Sequence, residues 1–283
     1  MSACNSDPEP FGGALTRIDA RPSRLMGLIR VALRAGAWLC GFRIAVQGLN
    51  HLPRGTDGRI AGGWILAGAP HRAWVDPLLL VVAWPADAPR LVWLGDGPTL
   101  VRSWWRRLLL PRLGVIPIMP GAGPAALASH VEAAGEVLSR GAVLALFVER
   151  GAPSPPDRTR EIAGGFAWIA RAAGAPVVPV VIGGAQRIIR GSPFIVRFLA
   201  PLPRPPAAPP PAAVPREADR PAALDRTRRP PATSLDSAWR PAAEALVTHY
   251  RREVAGPIRE VAAWADDRAP SASRWPWLAT LFR

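Results

Sequence analysis

A histidine-containing turn between two apolar runs is the feature that most constrains how this chain can fold. Residues 64–67 are apolar throughout and typical of a buried strand, and residues 78–82 predict a helix. Asp76 and Pro77 mark the start of that helix, because a carboxylate often caps a first turn and proline fits its first position. A second apolar run, residues 143–148, predicts a strand that ends in Glu149. We therefore expect this turn and Glu149 at the carboxyl edge of an open α/β sheet, where such sheets bind their ligands.

The remaining segments predict an α/β fold, a mixed twisted sheet flanked by helices, in a single domain over residues 23–203. Residues 1–22 predict a disordered tail, residues 204–233 a Pro/Ala/Arg-rich linker, and residues 234–283 a C-terminal helical tail. Further strands are predicted over residues 42–46, 90–94 and 194–199. Further helices are predicted over residues 23–41, 100–112, 124–140, 159–173, 235–254 and 258–264, with Gly256-Pro257 ending the fifth of them.

His71 and Asp76 are a candidate catalytic pair, because a turn this short brings side chains five residues apart together. An aspartate that binds one ring nitrogen fixes the histidine tautomer and leaves the other nitrogen as a base. The alternative is a solvated loop histidine beside an ordinary helix cap. Glu149 has the corresponding alternative of a solvated residue at a strand end.

Four sequence blocks, in this order and spacing, resemble the glycerolipid acyltransferase family, whose type member acylates lysophosphatidic acid. Its His-x-x-x-x-Asp hallmark is seen from His71 to Asp76, and its Phe-Pro-Glu-Gly-Thr-Arg block is similar to residues 147–152. Residues 175–181 resemble the family's Val-Pro-Val strand, and residues 48–53 its usual lead-in. The resemblance covers roughly residues 24–203. It implies a single acyltransferase domain, and the residue pattern adds an N-terminal amphipathic helix over residues 23–41.

The resemblance also implies a reaction and a set of residues. A fatty acyl group would move from a thioester, acyl-CoA or acyl-carrier protein, to a hydroxyl of a lysolipid such as lysophosphatidic acid, in phospholipid biosynthesis. His71 is the implied base, and Asp76 would orient it. The implied substrate-binding residues follow the two strands: Arg72, Glu149, Arg150 and Gly151. The family needs no cofactor or metal for this chemistry, and the sequence shows no cluster of metal ligands.

Three basic positions that the family uses are missing or displaced in this chain. Met119-Pro120 stand where the second block closes on an arginine, Gly-Thr-Arg does not follow Glu149, and a lysine is absent after it. Arg150 is the nearest replacement, although pairing with Glu149 or facing water is equally open for it. Two alternatives follow: an acyltransferase for a non-phosphate acceptor, such as an aminolipid or glycolipid, and a non-catalytic membrane-binding member of the fold.

The charge of the chain indicates anionic partners. Its 35 basic residues are all arginine and give a formal net charge of +14, which favours acidic lipid or a phosphorylated substrate. No nucleic-acid partner is expected, because the sequence carries no RNA- or DNA-binding motif. Cys4 and Cys40 predict neither a disulfide framework nor a metal site and fit a reduced, cytosolic setting.

Two segments predict contact with a membrane surface. Residues 23–41 are apolar, with Arg30 and Arg34 on one face, and are too interrupted to span a bilayer. A helix packed on the domain's own sheet is equally open for them. Residues 100–112 mix Trp and Arg with leucines, an interfacial composition, with a protein contact or a core helix as the alternative. The expected location is peripheral, on the cytoplasmic face of the cell membrane.

Overall fold

The structure is a computed structural model and describes residues 20–22, 24–97, 110, 112–118, 123–150, 160–185, 188, 191–204 and 233–268. Within these residues it confirms the predicted α/β fold, with a mixed seven-stranded sheet, a separate two-stranded ribbon and five helices. The strands are β1 Arg43–Gln47, β2 Trp64–Gly68, β3 Leu91–Asp96, β4 Val115–Ile118, β5 Val143–Phe147, β6 Glu149–Arg150, β7 Glu161–Ile162, β8 Val177–Gly183 and β9 Pro193–Phe198. The helices are α1 Arg24–Leu39, α2 Asp76–Ala83, α3 Gly123–Ser139, α4 Gly165–Ala173 and α5 Thr233–Asp267.

The direction of the strands places the candidate residues at one edge. The large sheet has the order β1-β9-β8-β2-β5-β3-β4, and only the β8–β9 pair is antiparallel. The carboxyl ends of β8, β2, β5, β3 and β4 therefore lie together, at what we call the carboxyl edge. Gly68, the last residue of β2, pairs with Phe147, the last residue of β5. His71 and Glu149, which follow these two residues, thus leave the sheet side by side.

Each face of the sheet is covered by its own helices. Helices α3, α4 and α5 pack on one face, where the side chains of Ile65 and Leu144 are buried. Helix α2 packs on the other face with Leu66 and Val180, and α1 lies against it. The strands are apolar on both sides because both of their faces are buried.

Two helices differ from their predicted bounds. The helix predicted over residues 159–173 begins only at Gly165, because Glu161–Ile162 pairs with Glu149–Arg150 as an antiparallel ribbon. Helix α5 is continuous over residues 233–267 and passes through Pro257, where the sequence predicted its end. The apolar row that it buries, including Val254, Ile258 and Val261, continues past that proline, and this packing outweighs the hydrogen bond that proline removes. Most of the helix predicted over residues 100–112, and most of the predicted linker, lie outside the described residues.

Helix α1 turns two of its three arginines towards the protein. The guanidinium of Arg30 donates to the carbonyl of Trp84 at 3.2 Å, and that of Arg34 donates to the carbonyl of Val82 at 3.1 and 2.9 Å. Both carbonyls belong to the C-terminal end of α2, where the helix dipole favours positive charge. Arg34 follows Arg30 along α1, whereas its partner Val82 precedes Trp84 along α2, so the two helices run antiparallel.

The opposite face of α1 is apolar and exposed. Its large side chains include Leu28, Val31, Trp38 and Leu39, which are 68%, 61%, 78% and 70% exposed. No residue of this helix is buried. Helix α1 starts near the amino end of β3, where the Arg90 amide binds the Ala20 carbonyl, and leads into β1. Since β1 begins beside the first residue of β9, at the carboxyl edge, Trp38 and Leu39 lie towards that edge.

Candidate active site

The structure brings His71 and Asp76 into direct contact. Nδ1 of His71 lies 2.9 Å from Oδ2 of Asp76. Asp76 is 1% exposed, whereas the His71 side chain is 39% exposed. An ionised carboxylate accepts only, so this contact places the proton on Nδ1 and leaves Nε2 as the basic nitrogen. The pair therefore has the geometry of a buried orienting acid and a base that a substrate can reach.

Asp76 does not cap α2 as the sequence predicted. The residue at the cap position is Val75, and no side chain caps this helix. Oδ2 of Asp76 instead accepts the backbone N–H groups of Arg72 and Ala73, at 2.7 and 2.8 Å, in addition to the His71 contact. The carboxylate turns back because these three donors lie in the preceding turn. It thus fixes both the ring and the backbone of that turn.

Glu149 holds the same turn from the other side. Its Oε2 accepts the backbone N–H of His71 at 3.2 Å, and its Oε1 accepts the backbone N–H of Arg160 at 3.0 Å. The ribbon of β6 and β7 brings Arg160, just before β7, back to the carboxylate. Glu149 is therefore half-buried and bound to two loops, rather than a solvated residue at a strand end.

An aromatic ring supports the imidazole. The ring of Phe147 stacks on that of His71 with 4.1 Å between centroids and 14° between planes. Trp93, on the neighbouring strand β3, stacks on Phe147 in turn, with 6.2 Å between the ring centroids. A side chain at Gly68 would meet the Phe147 ring at 2.9 Å, so glycine is needed there for the stack. The sequence analysis placed Phe147 in a family block but gave it no role in the site.

Tyr250 of α5 approaches the site from beneath the sheet. Its hydroxyl donates to the carbonyl of Ala67 in β2 at 3.1 Å, and its ring packs against Phe166. The residue is fully buried. Burial, and after it the negative charge of Glu149, raises the pKa of the Tyr250 phenol well above its usual value. No local sequence signal points to this residue, because its partner Ala67 lies in a distant segment of the chain.

The structure describes the other predicted substrate-binding residues to different extents. Arg72 lies beside His71 and donates its amide to Asp76. Arg150 pairs through its backbone with Glu161, and its side chain and all of Gly151 lie outside the described residues. In the described part of the chain, no group of three or more His, Cys, Asp or Glu side chains lies close enough to hold a metal ion. The roles of Arg150 and Gly151 in substrate binding stay predictions.

Comparison with known proteins identifies the family. Residues 43–183, which include His71, Asp76 and Glu149, match the family model described as Acyltransferase. Through this segment the chain belongs to the acyltransferase family, as the sequence blocks predicted. A crystal structure of the 1-acyl-sn-glycerophosphate (LPA) acyltransferase PlsC from Thermotoga maritima is similar, with 17% identity and a TM-score of 0.47, over 63% of this chain and 68% of that one. No curated protein sequence matches the chain.

Proposed function

We propose that this chain transfers a fatty acyl group from a thioester donor to the hydroxyl of a lysolipid. The observation that carries the proposal is the 2.9 Å contact of His71 with the buried Asp76, inside the segment that matches the acyltransferase family. A hydroxyl is a weak nucleophile at neutral pH, so a positioned base is what this transfer requires. The exposed ring of His71 supplies that base at the carboxyl edge.

In the proposed reaction, Nε2 of His71 takes the proton of the acceptor hydroxyl. The oxygen attacks the thioester carbonyl, the carbon–oxygen bond forms and the carbon–sulfur bond breaks. The imidazolium then returns its proton to the departing thiolate. Asp76 stabilises the imidazolium between these steps, because its charge faces Nδ1 in a buried position. The donor is acyl-CoA or acyl-carrier protein, and the acceptor is a lysophospholipid such as lysophosphatidic acid.

We further propose that the protein works on the surface of a membrane. The exposed apolar face of α1 leads to the carboxyl edge, and Trp74, in the turn that carries His71, is 54% exposed. Exposed apolar rows with tryptophan are typical of helices that lie in a lipid interface. None of the described helices has the length and apolar character that crossing a bilayer requires. Arg30 and Arg34 bind α2, so the arginines that favour anionic lipid must be others, such as the exposed Arg24 at the start of α1.

A non-phosphate acceptor is the second candidate. The family's phosphate-binding arginines are replaced by Met119-Pro120 and by the sequence after Glu149. Losing one charged contact to phosphate costs about 1.5–3 kcal/mol, which is roughly tenfold to a hundredfold in affinity. An aminolipid or glycolipid acceptor would not need these residues.

The test is an acyl-transfer assay with a panel of acceptors. The purified protein is given long-chain acyl-CoA or acyl-carrier protein with lysophosphatidic acid, other lysophospholipids, an aminolipid and a glycolipid. His71→Ala should lower the turnover by about 10²–10⁴-fold, because general-base catalysis is lost. His249→Ala, a half-exposed helix residue near Glu253, is the matched control and should retain wild-type turnover. If His71→Ala keeps most of the activity, the proposed mechanism is wrong, and if no acceptor is acylated, the non-catalytic alternative is favoured.

A further inference from the structure

Helix α5 lies outside the segment that matches the acyltransferase family, yet it forms part of the core beneath the site. Its buried side chains Tyr250, Val254 and Ile258 join the same apolar cluster as Ile65 and Ala67 of β2. The helix packs mainly against β8 and also against β9 and α4. The strand that leads to His71 therefore rests on residues from the C-terminal region.

A hydroxyl at position 250 needs an explanation, because phenylalanine would fill the same space. Burying a hydroxyl costs free energy unless it is hydrogen-bonded. Tyr250 is the single tyrosine of the chain, and its hydroxyl donates to the Ala67 carbonyl at 3.1 Å. Ala67 lies four residues before His71, in register with Leu146 of β5.

Glu149 connects Tyr250 to the site by a second route. The charge of this carboxylate acts on the phenol of Tyr250, and the same carboxylate accepts the amide of His71 at 3.2 Å. Tyr250 therefore lies behind β2, the strand that leads to His71. With no exposed surface, it touches no substrate and can act only through its neighbours.

We propose that Tyr250 is a positioning residue for the pair His71–Asp76, and that α5 is a working part of the acyltransferase domain. The hydroxyl fixes the end of β2 over α5, and so fixes the distance of His71 from the β5 end and Glu149. The proposal rests on the proposed function for its kinetic consequence. Its structural consequence, a change at His71, is independent of turnover.

The experiment compares Tyr250→Phe with Ile258→Val. Ile258 is 1% exposed and belongs to the same helix and cluster, so its truncation gives a loss of core packing without any polar contact to β2. Melting temperatures establish that both variants fold. Steady-state kinetics separate kcat from KM, and the ring signals of the chain's four histidines are followed by NMR, with His71→Ala assigning the His71 signals.

In Tyr250→Phe, we expect kcat to fall about threefold to tenfold, as for loss of one hydrogen bond, with KM for the thioester unchanged. The His71 ring signals should shift, and those of the other histidines should not. Ile258→Val should change neither kcat nor the His71 signals. Unshifted His71 signals in Tyr250→Phe would overturn the proposal, whatever kcat does. If the wild type acylates no acceptor, the proposed function fails, while the NMR comparison still decides the role of Tyr250.

Discussion

We expect Tyr250 to make the stability of this protein fall at alkaline pH. Burial, followed by the charge of Glu149, raises the pKa of its phenol well above the usual value near 10, whereas the unfolded chain exposes the phenol to water. As the pH rises above about 10, the unfolded state loses this proton and the folded state keeps it. The stabilising contribution is therefore fully present below about pH 10. Above it, the free energy of unfolding falls by about 1.4 kcal/mol per pH unit.

The composition of the chain leaves few other groups that titrate in this pH range. It has no lysine, and Tyr250 is its single tyrosine, while arginine stays protonated over this range. Urea unfolding followed by tryptophan fluorescence, from about pH 8 to about pH 11, should show a falling free energy for the wild type. Tyr250→Phe should show a flat curve above about pH 10, because it lacks the phenol. The cysteines are the same in both variants, so their effect cancels in the comparison.

Two results would refute this reasoning. The ultraviolet band of tyrosinate should be absent from the folded protein near pH 10 and should appear only as the protein unfolds. Tyrosinate formation with an ordinary midpoint in the folded state would mean that the phenol is not buried as described. Stability curves of equal slope for the wild type and Tyr250→Phe would also mean that the pKa of the phenol is the same in the folded and unfolded states.

Three further predictions concern the site and the apolar face of α1. Asp76→Asn should lower kcat by about 10²–10⁴-fold with little change in KM, because the amide cannot stabilise an imidazolium; an unchanged kcat would contradict the proposed role. Glu149→Gln turns one acceptor into a donor that faces a backbone N–H, so kcat should fall about tenfold; a rise in acceptor KM alone would instead favour the predicted role in acceptor binding. The double substitution Leu28→Gln and Val31→Gln should weaken binding to sedimented lipid vesicles by more than about tenfold, because it removes apolar surface from the exposed face of α1. If wild-type binding changes neither with the charge of the lipid nor with the salt concentration, the protein does not bind through a basic surface.

The central part of the site was predictable because it depends on local pattern and strand direction. Continuous apolar runs identify β2 and β5 as buried strands. When these two parallel strands are neighbours, their last residues are in register. His71 and Glu149, which follow those residues, then lie close together. The spacing from His71 to Asp76 then allows the contact that the structure shows at 2.9 Å.

The rest of the site depends on contacts that sequence patterns do not report. A carboxylate that caps a helix and one that binds the preceding turn have the same signature, so Asp76 was assigned the wrong backbone partners. Strand β7 has two residues, too few for any periodicity, so the ribbon that brings Arg160 to Glu149 was not predicted. Tyr250 and Ala67 are 183 residues apart, and no local rule pairs them. Arg30 and Arg34 show a basic face in sequence, yet they bind the end of α2.

Three constraints on His71 act on different parts of the residue. Asp76 holds Nδ1, Glu149 holds the backbone N–H, and Phe147 supports the face of the ring. In the described part of the chain, both hydrogen bonds of His71 are thus used for orientation, and neither occupies Nε2. A base that is held this way loses little freedom when substrate arrives, and this is how a fixed geometry lowers a barrier. Asp76 and Glu149 also accept backbone amides of the turn, so the position of His71 is fixed by its backbone as well as by its ring. In the proposed reaction, we therefore expect acceptor choice to depend on the residues around the pair rather than on the pair itself.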